Sequence, residues 1–182
     1  MTSVTGSTSI PFQDAIALTQ SLMARMAADD LNEDELRVAI AALVQSKTGV
    51  RGFFATYLTA DSDLADRDNP AIIQALKSSP DLVADILVKN LAMSTAMAMA
   101  HRRQGNEEMA QGSERVRSRT TRLIHQVSLS QVYQQAEKLH ESATTGLGDY
   151  QSFLQRWGYD PEQRQAICQI LAPLLPSSSQ GT

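Results

Sequence analysis

Apolar side chains recur every three or four residues along most of the chain, which is the spacing of one face of an α-helix. No segment shows sustained alternation of apolar and polar residues with the β-branched enrichment of a half-buried strand. The pattern therefore predicts an all-α protein, a single-domain bundle of about eight helices whose short connections favour antiparallel neighbours.

Capping residues and prolines indicate where the helices begin. Ser9 followed by Pro11 predicts the start of the first helix, and Asn32 is typical of the residue that opens a capping box at the second. Gly49 and Gly52 predict a break in the helical pattern. Further helices are predicted at about 53–58, 70–78, 80–104, 106–127, from 128 or 130 to 143, 149–158, and from 160 onward.

The long central hairpin, predicted over about 80–104 and 106–127, begins with a helix rich in methionine and alanine. The uncharged run from Asn90 to Ala100 is about half as long as a membrane span, so the sequence predicts no membrane insertion. Apolar side chains cover most of the circumference of this helix, as in the central helix of a bundle. We interpret its methionines as core residues, with a partner-binding or dimerising face as the alternative. These methionines are Met93, Met97 and Met99.

The chain has 182 residues and a formal net charge of −4, which favours a globular protein without a polyionic partner for the whole molecule. We expect a domain over residues 10–175, with flexible tails at 1–9 and 176–182. Cys168 is the only cysteine, which excludes an intramolecular disulfide and fits a reducing compartment; we expect a buried, inert thiol. The N-terminal residues lack the features of a targeting peptide, so a cytoplasmic location is expected.

Positive charge is concentrated in the hairpin. Residues 101–125 contain six arginines and three glutamates, a local charge of +3, whereas the rest of the chain is at −7. Guanidinium groups in such a cluster can bind carboxylates of a partner protein or phosphates of a nucleic acid. The alternative is a solvated face with intramolecular ion pairs. The hairpin residues predicted to bind a partner are Arg102, Arg103, Arg115, Arg119 and Arg122. Helical spacing places the last three in one narrow stripe along the second helix of the hairpin, roughly a right angle away from its apolar face.

Seven of the nine aromatic residues fall in two clusters, and core anchoring is the first interpretation of both. The second cluster also contains a triplet of the kind enriched at protein docking sites, so Arg156, Trp157 and Tyr159 join the predicted partner-binding residues. The clusters consist of Phe53, Phe54 and Tyr57, and of Tyr150, Phe153, Trp157 and Tyr159.

No catalytic residue, cofactor site or metal site is predicted. Glu137 and His140 have the spacing of one half of a carboxylate-bridged metal site, but a second such pair is missing. The aspartates within 61–68 lack the glycine and the bidentate glutamate of a calcium loop. Motifs for nucleotide binding or for an activated nucleophile are absent. A helical enzyme or metal carrier is the third hypothesis, and its site would have to form from side chains that belong to no recognisable motif.

Three stretches, RGFFATYLT, LVKNLAMSTAMAMAHRR and RWGYDPEQRQ, resemble an uncharacterised family of soluble helical proteins from oxygenic photosynthetic bacteria. The resemblance covers most of the chain from about residue 49 to 170. It implies a cytoplasmic setting near the photosynthetic apparatus, and it brings no assigned activity and no site residues.

The first functional hypothesis is a non-catalytic protein–protein interaction module. This scaffold, adaptor or assembly factor would dock through the arginine-rich hairpin and the aromatic triplet, with homo-oligomerisation as a further option. The alternative is a nucleic-acid-associated regulator that binds phosphates through the same arginines. Aromatic side chains, on which bases stack, are absent from the hairpin, and this favours the first hypothesis.

Overall fold

The computed structural model describes residues 9–176, which contain nine α-helices, two short 3-10 helices and no strand. The all-α prediction is confirmed. Apart from Ser9 and Pro176, the predicted tails lie outside the described residues. The chain divides into two compact units, Met1–Leu82 and Val83–Thr182, and the predicted single domain over 10–175 stays a prediction.

The first unit contains α1 to α4, with a 3-10 helix at Asp63–Asp66 before α4. Helix α1 contacts α3, and α2 contacts both α3 and α4. Helix α2 opens with the predicted capping box, in which the Asn32 side chain accepts a hydrogen bond from the Glu35 backbone N–H at 2.8 Å. The four helices are α1 (Phe12–Ala27), α2 (Glu33–Leu43), α3 (Lys47–Tyr57) and α4 (Pro70–Leu76).

The start of α1 differs from the prediction. The helix begins at Phe12, and Pro11 stands at the capping position without a side-chain cap. Ser9 lies outside the helix, where its Oγ is 2.9 Å from Thr48 Oγ1. Thr48 in turn donates a hydrogen bond to the Ile10 carbonyl, so the hydroxyl expected to cap α1 joins a contact with α3 instead.

Helix α3 runs through both glycines that were expected to break it. Ser46 caps the helix by accepting a hydrogen bond from the Gly49 backbone N–H at 3.0 Å. A Cβ at Gly52 would lie 2.5 Å from the Cβ of Ala15 on α1. This close approach explains why the position carries no side chain: Gly52 lets α1 and α3 come together, and tertiary packing outweighs the low helix propensity of glycine.

The core of the first unit is built around the first aromatic cluster. Phe53, Phe54 and Tyr57 are all buried, as the core interpretation predicted. The rings of Phe53 and Tyr57 stack with their centroids 5.2 Å apart, and Phe54 meets Phe53 edge-on at 5.2 Å. Both are geometries that aromatic pairs prefer.

The second unit contains nearly all of α5 and the helices α6 to α9, followed by a 3-10 helix at Ala172–Leu174. Three residues, 104–106, connect α5 to α6, which confirms the predicted hairpin. Helix α7 contacts α8, α9 and the final 3-10 helix. The helices are α5 (Pro80–Arg103), α6 (Glu107–Val127), α7 (Ser130–Thr145), α8 (Gln151–Trp157) and α9 (Pro161–Leu171).

In the methionine-rich part of α5, the small residues and not the methionines occupy the buried positions. Ala92, Ala96 and Ala98 are almost completely buried, together with the polar residues Ser94 and Thr95. The two hydroxyls donate hydrogen bonds to backbone carbonyls one turn earlier, so their polar groups are satisfied within the helix. The three methionines are each half-buried, so they are less buried than the core interpretation predicts and less exposed than a docking face would be.

Helix α5 is long and apolar enough, by length and composition, to cross a membrane, with a mean hydropathy of 1.4 over its most apolar window. More than half of that window, 56%, is buried within the protein, which is equally typical of a core helix of a soluble protein. The uncharged run from Asn90 to Ala100 therefore understates the apolar length of α5. The absence of membrane insertion stays a prediction.

Candidate functional site

Arg102, at the end of α5, binds two carboxylates from the N-terminal half of α6. Its Nη2 donates a hydrogen bond of 2.6 Å to Glu114 Oε1, and its Nε lies 3.4 Å from Glu107 Oε2. The hydrogen bonds to Glu114 and Glu107 raise the pKa of Arg102. Almost half of the Arg102 side chain is exposed, so these ion pairs are open to competition from salt or from another carboxylate.

Arg103 links the end of α5 to the N-terminus of α9. Its two terminal nitrogens donate hydrogen bonds to Asp160 Oδ2 and Glu162 Oε2. Asp160 also caps α9, since its Oδ1 accepts a hydrogen bond of 2.9 Å from the Gln163 backbone N–H. The pKa of Asp160 is lowered, most by the hydrogen bond from the Gln163 backbone and next by the hydrogen bond from Arg103. Arg103 thus connects two helices of its own unit through ion pairs.

The three α6 arginines predicted to form a surface stripe differ in exposure. Arg115 is exposed and Arg122 is half-buried, but Arg119 is buried with only 2% of its surface exposed. None of the three is without an interaction partner. In the folded chain Arg119 offers no exposed guanidinium, and the stripe inferred from helical spacing is interrupted at its centre.

The predicted aromatic triplet at the end of α8 is divided by the fold. Trp157, the last residue of α8, is 46% exposed, and the neighbouring Arg156 is exposed as well. Tyr159 is buried, with 5% exposed, and its ring meets Phe153 edge-on at 6.2 Å. Burial raises the pKa of Tyr159, whose hydroxyl has no hydrogen-bond partner among the described residues. Tyr159 is therefore a core residue, and only Arg156 and Trp157 remain at the surface.

A groove of about 550 Å³ lies along α6, and we call it the α6 groove. Most of its lining comes from two rows of α6 residues spaced four apart, which is the spacing of ridges on a helix surface. Of these residues, only Arg122 belongs to the predicted site. The lining consists of Arg117, Ser118, Thr121, Arg122, His125 and Gln126 from α6 and Ile170 from α9.

A polar cluster beside α5 involves residues that are not among the predicted partner-binding residues. The Tyr150 hydroxyl lies 2.9 Å from Asp85 Oδ1 and 2.8 Å from Gln135 Oε1. Lys89 Nζ donates a 2.7 Å hydrogen bond to Asp85 Oδ2 and lies 5.5 Å from the centre of the Tyr150 ring. Burial, followed by the charge of Asp85, raises the pKa of Tyr150. The cluster keeps this phenol protonated and joins three segments of the second unit, a structural role.

Within residues 9–176, no group of three or more His, Cys, Asp or Glu side chains is arranged to hold a metal ion. Glu137 is exposed and His140 is half-buried on α7. Cys168 was expected to be buried, but it is partly exposed, with its Sγ 3.5 Å from Thr144 Oγ1. The buried face of α9 is formed by Ile167 and Leu171. Cys168 lies to one side of these two residues on the helix, so its thiol lies at the edge of the buried face.

Comparison with known proteins gives a family but no function. No curated protein and no solved structure matches the chain. The family described as uncharacterised conserved protein UCP020893 matches residues 11–174. This agrees with the resemblance to an uncharacterised family, while the photosynthetic setting stays an expectation. The match covers nearly the whole described chain, and the protein belongs to the family of the uncharacterised conserved protein UCP020893.

Proposed function

We propose that the protein is a non-catalytic protein–protein interaction module, an adaptor or assembly factor that docks through the end of α8 and the arginine-rich hairpin. The observation that supports this most strongly is the 46% exposure of Trp157 beside the exposed Arg156. Tryptophan and arginine are the residue types most enriched at the energetic centres of protein interfaces. A partner with an apolar pocket and a nearby carboxylate would accommodate both side chains.

The hairpin adds positive charge to the proposed docking surface. Arg102 and Arg103 are engaged in ion pairs, yet each is close to half exposed, so the pairs are weak and screened by salt. A partner carboxylate can share these guanidiniums at little cost to the fold. Residues 101–125 carry a formal charge of +3, but Asp160 and Glu162 beside Arg103 offset two of these charges, so the remaining attraction for an acidic partner is modest.

A nucleic-acid-associated regulator is the alternative hypothesis, with the same arginines bound to phosphates. It requires a steep loss of binding between about 50 and 200 mM salt, because phosphate contacts release counterions. Docking through Trp157 depends much less on salt, because burial of an indole is mainly a hydrophobic effect. The salt dependence of partner binding therefore separates the two hypotheses.

Photo-cross-linking from position 157 tests the proposed function. A photoreactive phenylalanine analogue replaces Trp157 in one protein and Val38, which is 59% exposed on α2, in a control. We expect position 157, and not position 38, to cross-link a discrete protein in cells. Trp157→Ala should then weaken binding of that purified protein by more than about tenfold, the range of an interface hot spot.

The cross-linking and affinity experiments distinguish docking through α8 from the other possibilities. Equal cross-linking from both positions, or unchanged affinity of Trp157→Ala, would contradict docking through α8. A cross-link to a second copy of the chain would assign the surface to homo-oligomerisation. Arg119 is left unchanged in these experiments, because a glutamate at this buried position would destabilise the fold and obscure the result.

A further inference from the structure

We infer that Arg103 and Gln163 are positioning residues, which hold the turn after Trp157 against α5 and restrict the motion of the exposed indole. The inference rests on the proposed function, because it states what orders the docking residue before a partner binds. We call the contacts of these two residues the α5–α9 clasp. The clasp consists of the ion pairs of Arg103 with Asp160 and Glu162 and the hydrogen bond from Gln163 to the Ala96 carbonyl.

The turn that carries Trp157 is short. Only Gly158 and Tyr159 separate Trp157, the last residue of α8, from Asp160, which caps α9. Tyr159 anchors the middle of the turn by packing against Phe153, without a hydrogen bond from its hydroxyl among the described residues. A linkage of two residues transmits a displacement of the α9 N-terminus to the indole.

Arg103 forms the charged half of the clasp. Its two terminal nitrogens donate to carboxylates on two different residues, so one guanidinium spans the first turn of α9. The side chains of Arg103 and Asp160 are each 41% exposed. Ion pairs with this exposure are weak and screened by salt, so they contribute little to the whole fold. Their effect is confined to the helix end that they touch.

Gln163 forms the uncharged half of the clasp. Its Oε1 accepts a hydrogen bond of 3.0 Å from the Asp160 backbone N–H, and its Nε2 donates one of 3.0 Å to the Ala96 carbonyl. A glutamate at this position would complete the same capping box, but it has no N–H group for the carbonyl. The amide therefore joins the cap of α9 to the backbone of α5, about two turns before Arg103.

Arg102 provides a matched contrast. It precedes Arg103 in the chain, its side chain is 45% exposed, and it also lies close to two carboxylates. These carboxylates belong to Glu107 and Glu114 on α6, not to α9. Because the two arginines agree in charge, exposure and number of ion pairs, a difference between their variants reports on the contact with α9.

Amide hydrogen exchange and fluorescence anisotropy of the full, free chain test the clasp. Arg103→Gln should speed exchange of the Gln163 and Arg164 amides, which donate to Asp160, by about three- to tenfold. It should also increase the share of the Trp157 anisotropy that is lost through fast local motion. Arg102→Gln should leave these signals unchanged and speed exchange at Met109 instead, where Asn106 caps α6.

Gln163→Glu is a second variant, which keeps Arg103 in place. It retains the acceptor for the Asp160 N–H and removes the donor to α5, so we expect the same increase in the fast motion of Trp157. In the native chain, about 1 M NaCl should act in the same direction as Arg103→Gln, because salt screens ion pairs. The salt experiment needs no substitution, and it therefore tests the clasp even if a variant does not fold.

The inference requires both variants to respond. Unchanged Trp157 anisotropy in Arg103→Gln or in Gln163→Glu overturns it, and so do equal responses to Arg102→Gln and Arg103→Gln. Unchanged anisotropy of the native chain in 1 M NaCl, as an upper value for about complete screening, contradicts the charged half. Circular dichroism of each variant confirms that the helices are intact before anisotropy is compared.

The clasp and the proposed function fail in distinguishable ways, because the clasp is measured without a partner. If Trp157 responds to both variants while position 157 cross-links no discrete protein, docking through α8 is excluded and the clasp stands. If position 157 cross-links a partner while the indole is equally mobile in the native chain and in Arg103→Gln, docking stands and the clasp is overturned.

Discussion

The two aromatic clusters have similar compositions but differ in how completely the fold buries them. All three rings of the first cluster, on α3, are buried. In the second cluster, around α8, Tyr150 and Tyr159 are buried while Trp157 is nearly half exposed. A local group of aromatic residues therefore predicts a hydrophobic contact, but whether that contact is internal or external depends on the elements that surround it.

The surroundings of the two clusters explain the difference. Helix α3 contacts α1 and α2, and Gly52 allows α1 to approach closely, so every ring of the first cluster finds a neighbour. Helix α8 has seven residues and ends at Trp157, where Gly158 takes a left-handed conformation with φ of 60°. The chain turns away after the indole, and the side chain at the helix end remains in contact with water.

The largest expected effect separates the buried cluster from the exposed tryptophan. Phe53→Ala removes a buried ring and should lower the free energy of unfolding by about 3–5 kcal/mol. Trp157→Ala, despite removing a larger side chain, should cost less than about 1 kcal/mol, because surface substitutions disturb little packing. Chemical denaturation followed by circular dichroism measures both. A loss at Trp157 as large as at Phe53 would erase the comparison.

A smaller effect tests the close approach of α1 and α3. Gly52→Ala puts a methyl group 2.5 Å from the Ala15 Cβ, and overpacking of this kind should cost about 1–3 kcal/mol. The matched control is Gly112→Ala on α6, where an added Cβ meets no described atom within 4 Å. There the higher helix propensity of alanine should raise stability by up to about 1 kcal/mol. Effects of the same sign would show that the α1–α3 contact is looser than described.

The smallest expected effect concerns the charges beside the exposed tryptophan. The pKa of Asp160 is lowered in the folded state by Gln163 and Arg103. A carboxyl with a lowered folded pKa contributes stability above its unfolded pKa of about 4 and loses it as the pH falls through the folded pKa. Asp160→Asn keeps the capping oxygen and removes the charge.

The native chain should therefore be more stable than Asp160→Asn at neutral pH, and the difference should shrink as the pH falls below about 4. Thermal unfolding at several pH values, with both proteins at the same salt concentration, measures this difference. A constant gap across the acid range would mean that the carboxylate charge contributes no stability at this helix junction.

Helix boundaries marked by local chemistry could be predicted from the sequence. The capping boxes at Asn32 and Asp160, and the proline starts of α4, α5 and α9, depend on neighbouring residues in the chain. The predicted helix at about 53–58 omits the first two turns of α3, because Gly49 and Gly52 weaken the helical pattern of the sequence there. Both glycines are needed for close contacts with α1 and with the segment before α3, and such contacts cannot be inferred from neighbouring residues in the chain.

The candidate site shows the same limit. Helical spacing placed Arg115, Arg119 and Arg122 on one stripe, but it carried no information on which neighbouring elements cover that stripe. The α6 rows that line the groove repeat every four residues and were open to discovery from the sequence. Ile170, which completes the groove from α9, was not, because more than forty positions of chain separate it from α6.

Intrinsic fluorescence of the native protein reports directly on the exposure of Trp157, the proposed docking residue, because it is the only tryptophan in the chain. We expect red-shifted emission that acrylamide quenches readily, and protection from quenching when the cross-linked partner is added. Blue-shifted emission that resists acrylamide in the free protein would show that Trp157 is already buried, and would contradict its assignment as the docking residue.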